Sequence, residues 1–580
     1  MSITPHTLFT AVITLTCLPA ALAAQQPNGG RIDPFVEFTV SANEGGYIPT
    51  VISAGDLNGD GHDDILIGRT AEGHGGLMEN GTVELISGID YSSMMKWEGA
   101  TEGSEFGDVI CMVSDSNGDG VADIAIGAPS ENVGINNEVG AVYLYSGAFP
   151  YGPINRWEGA ADGDYFGSAI ADAGDLNSDG IPDLLIGASG ADNSGSYIYD
   201  TGHVYLYSGD DPQATGLLMD WQGDSDNGEL GTALLVVEDL SGDGVQDFVI
   251  SQPGIGFYGW EVGTVYVVSG ADGSLLMEME SDDENEGFGA ALASPGDFDN
   301  DGWPDILVGA PMMDQLAEAY DIGFVILYSG ATGDELFYWT GEEKFSWFGF
   351  SIDTADINGD TVEDILVGSP FYTGDGPTNR GAFYAYSGTT GEMLLRQTGT
   401  QENHVLGAFC QFGGDINNDG TTDIIAPYWD SPFAANRAGK AAIYSSAIVP
   451  QMTSSASSLS VSAGGTINFN MDFASNASFY SYQLLFSSAG MGPVDILGLP
   501  VPLSYDANLV NSYLGIYAPF FNEPTGLLSS AGKATAKLIV PPNAIPPGLI
   551  GSTFYFASIC KVVWGTPEFS SIAVPLTFTP

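Results

Sequence analysis

Asp297-Phe298-Asp299-Asn300-Asp301-Gly302-Trp303-Pro304-Asp305 puts oxygen-bearing side chains at positions 1, 3, 5 and 9 of a short stretch, with glycine at position 6. A hard cation such as Ca²⁺ takes six to eight oxygen ligands. Carboxylates at alternate positions of a tight loop can wrap one ion, and the carbonyl at position 7 fills a further place. The apolar run Ile306-Leu307-Val308-Gly309-Ala310-Pro311 follows directly. The pattern recurs seven times, with starts 59, 60, 64, 58, 59 and 59 residues apart.

Position 1 is Asp56, Asp115, Asp175, Asp239, Asp297, Asp356 and Asp415 in turn. Position 3 is Asn58, Asn117, Asn177, Ser241, Asp299, Asn358 and Asn417, always an oxygen donor. Position 5 is Asp60, Asp119, Asp179, Asp243, Asp301, Asp360 and Asp419, and position 9 is Asp64, Asp123, Asp183, Asp247, Asp305, Asp364 and Asp423. Only Thr361 departs from glycine at position 6. An EF-hand needs a bidentate Glu at position 12 and flanking helices. Here position 12 is Ile67, Ile126, Ile186, Ile250, Val308, Val367 and Ala426, and the flanks are short β-branched runs bounded by Gly, which read as strands. The sequence predicts up to seven Ca²⁺ ions, each in a loop between two strands.

Around each loop the same parts return. An aromatic or Leu followed by Gly comes first, as Phe106-Gly107, Phe166-Gly167, Leu230-Gly231, Phe288-Gly289, Phe348-Gly349 and Leu406-Gly407, with Tyr47-Ile48 in the first unit. A strand, the acidic loop and a second strand ending in Gly-Ala-Pro or a variant follow. A third strand opens on Gly81, Gly140, Gly202, Gly263, Gly323, Gly381 or Gly439, and a fourth carries Trp97, Trp157, Trp221 or Trp339. Four antiparallel strands per repeat without helical periodicity describe a propeller blade. The fold class is all-β: a seven-bladed β-propeller followed by a small β-sandwich. The seventh unit stops after Ala441-Ala442-Ile443-Tyr444, and the orphan segment Phe35–Val40 can supply its missing outer strand. An open solenoid would instead leave both edges unpaired.

These residues resemble the FG-GAP repeats of the integrin α-subunit propeller and its bacterial relatives, over residues 35–449. The resemblance rests on the Phe-Gly pairs, the Asp-rich loops and the Gly-Ala-Pro strand ends. It implies Ca²⁺ on the lower face, held by positions 1, 3, 5 and 9, and ligand docking on the upper face. Integrins carry three or four such loops, where here seven have the pattern. Ser251-Gln252-Pro253 in the fourth unit and the first unit's missing Phe-Gly depart from it.

The chain has 580 residues, 75 acidic against 12 basic, and a formal charge of −63. That charge opposes nucleic-acid phosphates and anionic membranes. Yet 44% of the residues are apolar, too many for a disordered acidic chain. Of the acidic groups, 22 fall at loop ligand positions, so seven Ca²⁺ would bring the charge to −49. Residues 1–23 read as a signal peptide ending Ala21-Leu22-Ala23, though without a basic n-region, and 24–34 as a linker. No later run suits a membrane span, and the expectation is a secreted monomer. Cys111, Cys410 and Cys560 make neither a disulfide framework nor a zinc pattern. Residues 451–580 lose the acidic loops and read as a β-sandwich of Ig-like type.

Aromatics in the connections between second and third strands, namely Tyr197, Tyr199, Phe257, Tyr258, Trp260, Tyr320, Phe371, Tyr372, Tyr428 and Trp429, read as exposed and able to stack on sugars or anchor a protein. They read equally as covers for blade junctions. No His-Glu-x-x-His, G-x-S-x-G or phosphate-cradling motif is present. The expected function is extracellular binding or adhesion toward protein or polysaccharide. The alternative is a calcium-dependent polysaccharide lyase or hydrolase, with its carboxylate pair among the 75 acids.

Overall fold

The computed structural model describes residues 34–446 except 40–49, 74–78, 193–198, 212–215, 255–261, 285, 300, 315–320, 359–361, 375–377, 390, 392, 419–420 and 431–437, together with the strands and short turns of 451–579. Residues 1–33, where the sequence places a signal peptide and most of a linker, lie outside the described residues.

Six four-stranded antiparallel sheets follow one another in the order of the chain, and a seventh, of five strands, combines the end of the repeat array with the first strand of the chain. Blade 1 is Thr50–Gly55, Asp64–Arg69, Thr82–Ile86 and Ser93–Glu98. Blade 2 is Ile110–Val113, Asp123–Ala128, Ala141–Tyr145 and Pro153–Glu158, and blade 3 is Phe166–Gly174, Asp183–Ala188, His203–Tyr207 and Leu217–Gln222. Blade 4 comprises Leu234–Val237, Asp247–Gln252, Val262–Val268 and Leu275–Glu284. Blades 5 and 6 repeat the plan from Ala291–Ala293 to Glu335–Thr340 and from Ile352–Ala355 to Met393–Thr398. First strands of successive blades lie beside one another and so surround the axis. The second strand reads as a continuous apolar run, as in Asp-Ile-Ala-Ile-Gly-Ala of blade 2, because both its faces are covered by neighbouring blades; all six residues are buried. At the rim, Ser93–Glu98 buries only Trp97.

Blade 7 is completed as the sequence predicts. Val36–Thr39 pairs antiparallel with Ala438–Tyr444, placing Val36 opposite Ile443 and Thr39 opposite Lys440. Inside this clasp Val36 and Phe38 share a core with Ile416, Ile425, Ala441 and Ile443 of blade 7 and with Val51, Ile65, Ile67 and Ile86 of blade 1. That cluster spans the junction of the last blade with the first. Gln411 Nε2 donates to the Val51 carbonyl across it, and Asp415 N–H to Asp63 at 3.2 Å. The ring is closed.

Between blades the Phe-Gly pairs act as wedges. Phe106, Phe166, Phe288 and Phe348 are all essentially buried, each against a tyrosine of its own third strand, as Phe106 on Tyr143 at 5.4 Å. The glycine that opens the third strand makes room for the wedge of the next blade. A Cβ on Gly140, whose φ is +83°, would lie 2.2 Å from the Phe166 carbonyl oxygen.

Beyond the ring, a four-stranded sheet (Gln451–Ser454, Gly465–Asp472, Lys533–Val540, Phe521–Asn522) faces a six-stranded one centred on Ser481–Ser487 and Thr553–Lys561. One core joins them, with Ile467, Phe469 and Leu538 from the first sheet and Leu484, Phe556 and Leu576 from the second. The strands expected at Leu459, Thr466, Tyr482, Ala536 and Thr553 are all present.

Candidate metal loops

Each acidic loop joins the first and second strands of its blade, so all seven lie at the same end of the ring. The side chain at position 9 leads into the second strand and is withdrawn from water: Asp64, Asp123, Asp183, Asp247, Asp305, Asp364 and Asp423 are fully buried. Its two oxygens form a hub. In loop 1, Leu57 N–H and Asn58 N–H donate to Asp64 Oδ2, while Asn58 Nδ2 and Gly88 N–H donate to Oδ1 at 3.0 and 3.1 Å. The glycine N–H that follows the third strand repeats this bond from Gly147, Gly270, Gly330 and Gly388.

Position 1 is exposed in loops 1, 3 and 5 and half-buried in the others, position 5 is exposed wherever it is described, and both fold the loop tip with their oxygens. In loop 2, Asp119 N–H and Gly120 N–H donate to the two oxygens of Asp115 at 3.1 and 2.7 Å, and Val121 N–H donates to Asp119 Oδ1. The backbone at position 6 has φ of +89 to +99° at Gly61, Gly120, Gly180, Gly244 and Gly302, outside the range that L side chains accept without strain. This is the physical reason for the glycine. Thr361, with Asp360 and Asp419, lies outside the described residues.

Position 3 has a double role that spacing alone does not show. The Asn amide turns its Nδ2 to Oδ1 of position 9 in loops 1, 2, 3, 6 and 7, at 2.8 to 3.2 Å. Its Oδ1 faces the loop, accepting Asp119 N–H from Asn117 at 3.0 Å. In loop 4 the Ser241 hydroxyl donates to Asp239 Oδ1 at 3.1 Å instead. The fifth loop has a carboxylate there. Asp299 has no proton to offer Asp305, and ligand oxygens of Asp297, Asp299 and Asp305 converge within 4.8 Å of one another. Among the described residues this is the one group of three or more His, Cys, Asp or Glu so gathered; Asp301 stands outside it.

Burial raises the Asp64, Asp123 and Asp305 carboxyls above the ordinary value despite their N–H donors, and carries Asp183 up to about 6. Carboxylates gathered around one buried base repel one another, a cost that a bound cation removes. The donor set is all oxygen, which suits Ca²⁺ or Mg²⁺ and not a soft transition metal.

At the opposite end of the ring the aromatic connections differ from the expectation. Tyr199 is exposed, at 61%, and Phe371 is half-buried. Tyr372 and Tyr428 are buried, contrary to the reading of exposed aromatics. Tyr372 packs edge-on against Tyr384 and lies under the Arg380 guanidinium. Tyr428 stacks on His404 at 4.6 Å beneath Lys440. Both cover blade junctions. Tyr197, Phe257, Tyr258, Trp260, Tyr320 and the Trp429 side chain lie outside the description.

Comparison with known proteins agrees with this geometry. The FG-GAP repeat family matches residues 49–83, 106–145, 166–207, 288–328 and 348–386, which are blades 1, 2, 3, 5 and 6. The ring is built of FG-GAP repeats. Its FG-GAP array is 32% identical to chicken (Gallus gallus) integrin alpha-V over 158 residues, 25% of this chain and 14% of that protein. It is 29% identical to Xenopus laevis integrin alpha-5 over 239 residues, 38% of this chain and 22% of the relative. Human phosphatidylinositol-glycan-specific phospholipase D is 28% identical over 293 residues, 44% of this chain and 34% of that protein. The chain therefore spans about a third or less of these relatives. Among the described residues no helix is long and apolar enough to cross a membrane.

Proposed function

We propose that this chain is a secreted extracellular binding module whose FG-GAP loops hold Ca²⁺ at positions 1, 3, 5 and 9, so that the metal fixes the ring while its other face binds a protein or polysaccharide. The observation that carries the metal reading is the fifth loop, where Asp299 replaces the amide that bridges positions 3 and 9 in five of the other loops. When bound, the ion supplies positive charge and fixes the turn. The chain's own part is to present three tip oxygens and one buried carboxylate on a glycine-bent loop. Similarity to integrin alpha chains supports the adhesion reading. The C-terminal sandwich, read as an Ig-like appendage, is given no part in this binding.

The test is to count bound calcium in the purified protein and follow its thermal unfolding with calcium and with chelator. Near seven ions and a large fall in melting temperature on chelation support the reading. Few ions and no shift would overturn it. Glycan and matrix-protein arrays then search for the ligand, and release of new reducing or unsaturated sugar ends during incubation would favour the enzymatic alternative.

A further inference from the structure

Blade 4 departs from its neighbours at several places that meet in space. Where blades 2, 3, 5 and 6 have a phenylalanine wedge it has Leu230, and where they have Tyr145, Tyr207, Tyr328 and Tyr386 it has Val268. Both changes remove a ring from the face turned toward blade 3. Trp97 and Trp339 pack at a tilt against the tyrosine of the next blade, with ring centres 5.4 and 5.9 Å apart. Trp221, in the corresponding place, meets Val268, packs edge-on against Phe248 at 6.0 Å and is only half-buried. A groove of about 380 Å³ lies here, lined by Trp221, Leu230, Ile250, Gln252, Tyr266 and Val268, with Asp220 and Asp224 also on its wall.

The polar groups of the groove are changed in the same sense. Gln252 stands at the strand end where blades 2, 3 and 5 have alanine. It is 2% exposed, and among the described residues its Oε1 has no hydrogen-bond donor. An acceptor left this way inside a protein is costly. Outside the groove's lining, the exposed Glu278 is the cross-strand partner of Tyr266 and the exposed Glu280 that of Thr264.

Blades 1, 2, 3 and 6 each place a basic group at the corresponding part of the outer strands. In blade 2 the partner of Tyr143 is Arg156. Its guanidinium lies 5.1 Å from the ring centre and pairs with Glu131 at 2.9 Å. Blade 6 sets Arg396 opposite Tyr384, paired with Glu342. Blade 1 sets Lys96 opposite Glu84, paired with Glu72. In blade 3 His203 stacks on Tyr205 at 4.2 Å and reaches Asp220. Blade 4, like blade 3 with Asp220 opposite Tyr205, sets a carboxylate opposite the tyrosine, but Thr264 stands where blade 3 has the basic His203. Among the described residues no Lys or Arg pairs with Glu278 or Glu280.

We propose that the groove between blades 3 and 4 binds an organic cation, an alkylguanidinium or alkylammonium group, which takes the place held in blade 2 by Arg156. The cation lies against the Tyr266 and Trp221 faces, where attraction by the ring adds to that of nearby acids. Its N–H groups donate to Gln252 Oε1 and to the carboxylates. Acceptors outnumber donors on the walls, so an anion is refused and a neutral polyol leaves the acidic groups uncompensated.

The test titrates the full calcium-loaded chain with N-acetylargininamide, n-butylammonium and methyl glucoside by calorimetry, at about 0.15 M ionic strength. One saturable site for a cation, with Kd on the order of 1 mM or tighter, is expected. Glu278→Arg, which installs the blade 2 cation, and Val268→Tyr, which restores the missing ring, should each weaken it by about tenfold or more while the melting temperature holds. Tighter binding of argininamide than of butylammonium assigns a guanidinium, and the reverse an ammonium. No saturable site, wild-type affinity in either folded variant, or glucoside binding as tightly as the cations overturns the proposal.

Discussion

Asp299→Asn separates the two consequences of the fifth loop. In the chain without metal, oxygens of Asp299 and Asp305 lie within 4.8 Å of each other. Two unit charges at that separation repel by about 3 kcal/mol at an effective dielectric of ~20, and exposure of Asp299 to water lowers this to about 1 kcal/mol. The new amide also gains the Nδ2–Oδ1 bond that Asn58, Asn117, Asn177, Asn358 and Asn417 make, worth about 1 kcal/mol. Stability in chelator should therefore rise by about 1–2 kcal/mol, a shift of roughly 2 °C in a domain of this size. Calcium affinity at this loop should fall by about tenfold, since one carboxylate ligand becomes neutral. Scanning fluorimetry in chelator reads the first effect, and a calcium titration resolving the tightest site reads the second. A variant less stable in chelator, or one whose tightest site is unchanged, would refute the reasoning.

Three further outcomes follow from the ring. Phe38→Ala empties the centre of the clasp, where Phe38 is 1% exposed, and should cost about 3–5 kcal/mol in denaturant unfolding; a loss below about 1 kcal/mol would show that the clasp does not hold the ring. Gly140→Ala drives a Cβ to 2.2 Å from the Phe166 carbonyl and should cost more than about 3 kcal/mol or abolish soluble expression, whereas normal yield and melting temperature would contradict the packing described. Burial carries the Asp353 carboxyl from 3.8 to about 6, against hydrogen bonds from Phe412 and Thr354 N–H. The folded chain then binds more protons than the unfolded one between those values, so stability in chelator should rise as pH falls from 7 toward 5. Asp353→Asn should flatten that part of the profile, and an unchanged slope would assign it to other acids.

The fold was legible because its signals repeat. An apolar run such as Asp-Ile-Leu-Ile-Gly after Asp64 marks the second strand, a Phe-Gly marks the wedge, and the unpaired Phe35–Val40 marks the clasp. Loop geometry was legible for the same reason, since glycine at position 6 reports a φ near +90°. The division of labour at position 3 was not legible, because spacing cannot show which way an amide turns. Nor was the burial of Tyr372 and Tyr428, whose covers, Arg380 and His404 with Lys440, come from elsewhere in the chain. Gln252 stood out in the sequence as a departure from the repeat, while Leu230 passed as one of its ordinary variants. That they face one groove together with Val268 is a matter of register between strands, visible only once the sheets are assembled.

The clasp also decides how the ring yields to force. Val36 lies opposite Ile443 in an antiparallel pair, so residues 34 and 446 leave the ring side by side at one end of it. Tension drawn across these two ends loads the outermost pair first, then the next, and peels the strands apart. A strand pulled along its length against its neighbour would share the load over all its bonds at once. Load applied through these two ends therefore opens blade 7 pair by pair, and its rate of opening sets how long the ring stays whole under it.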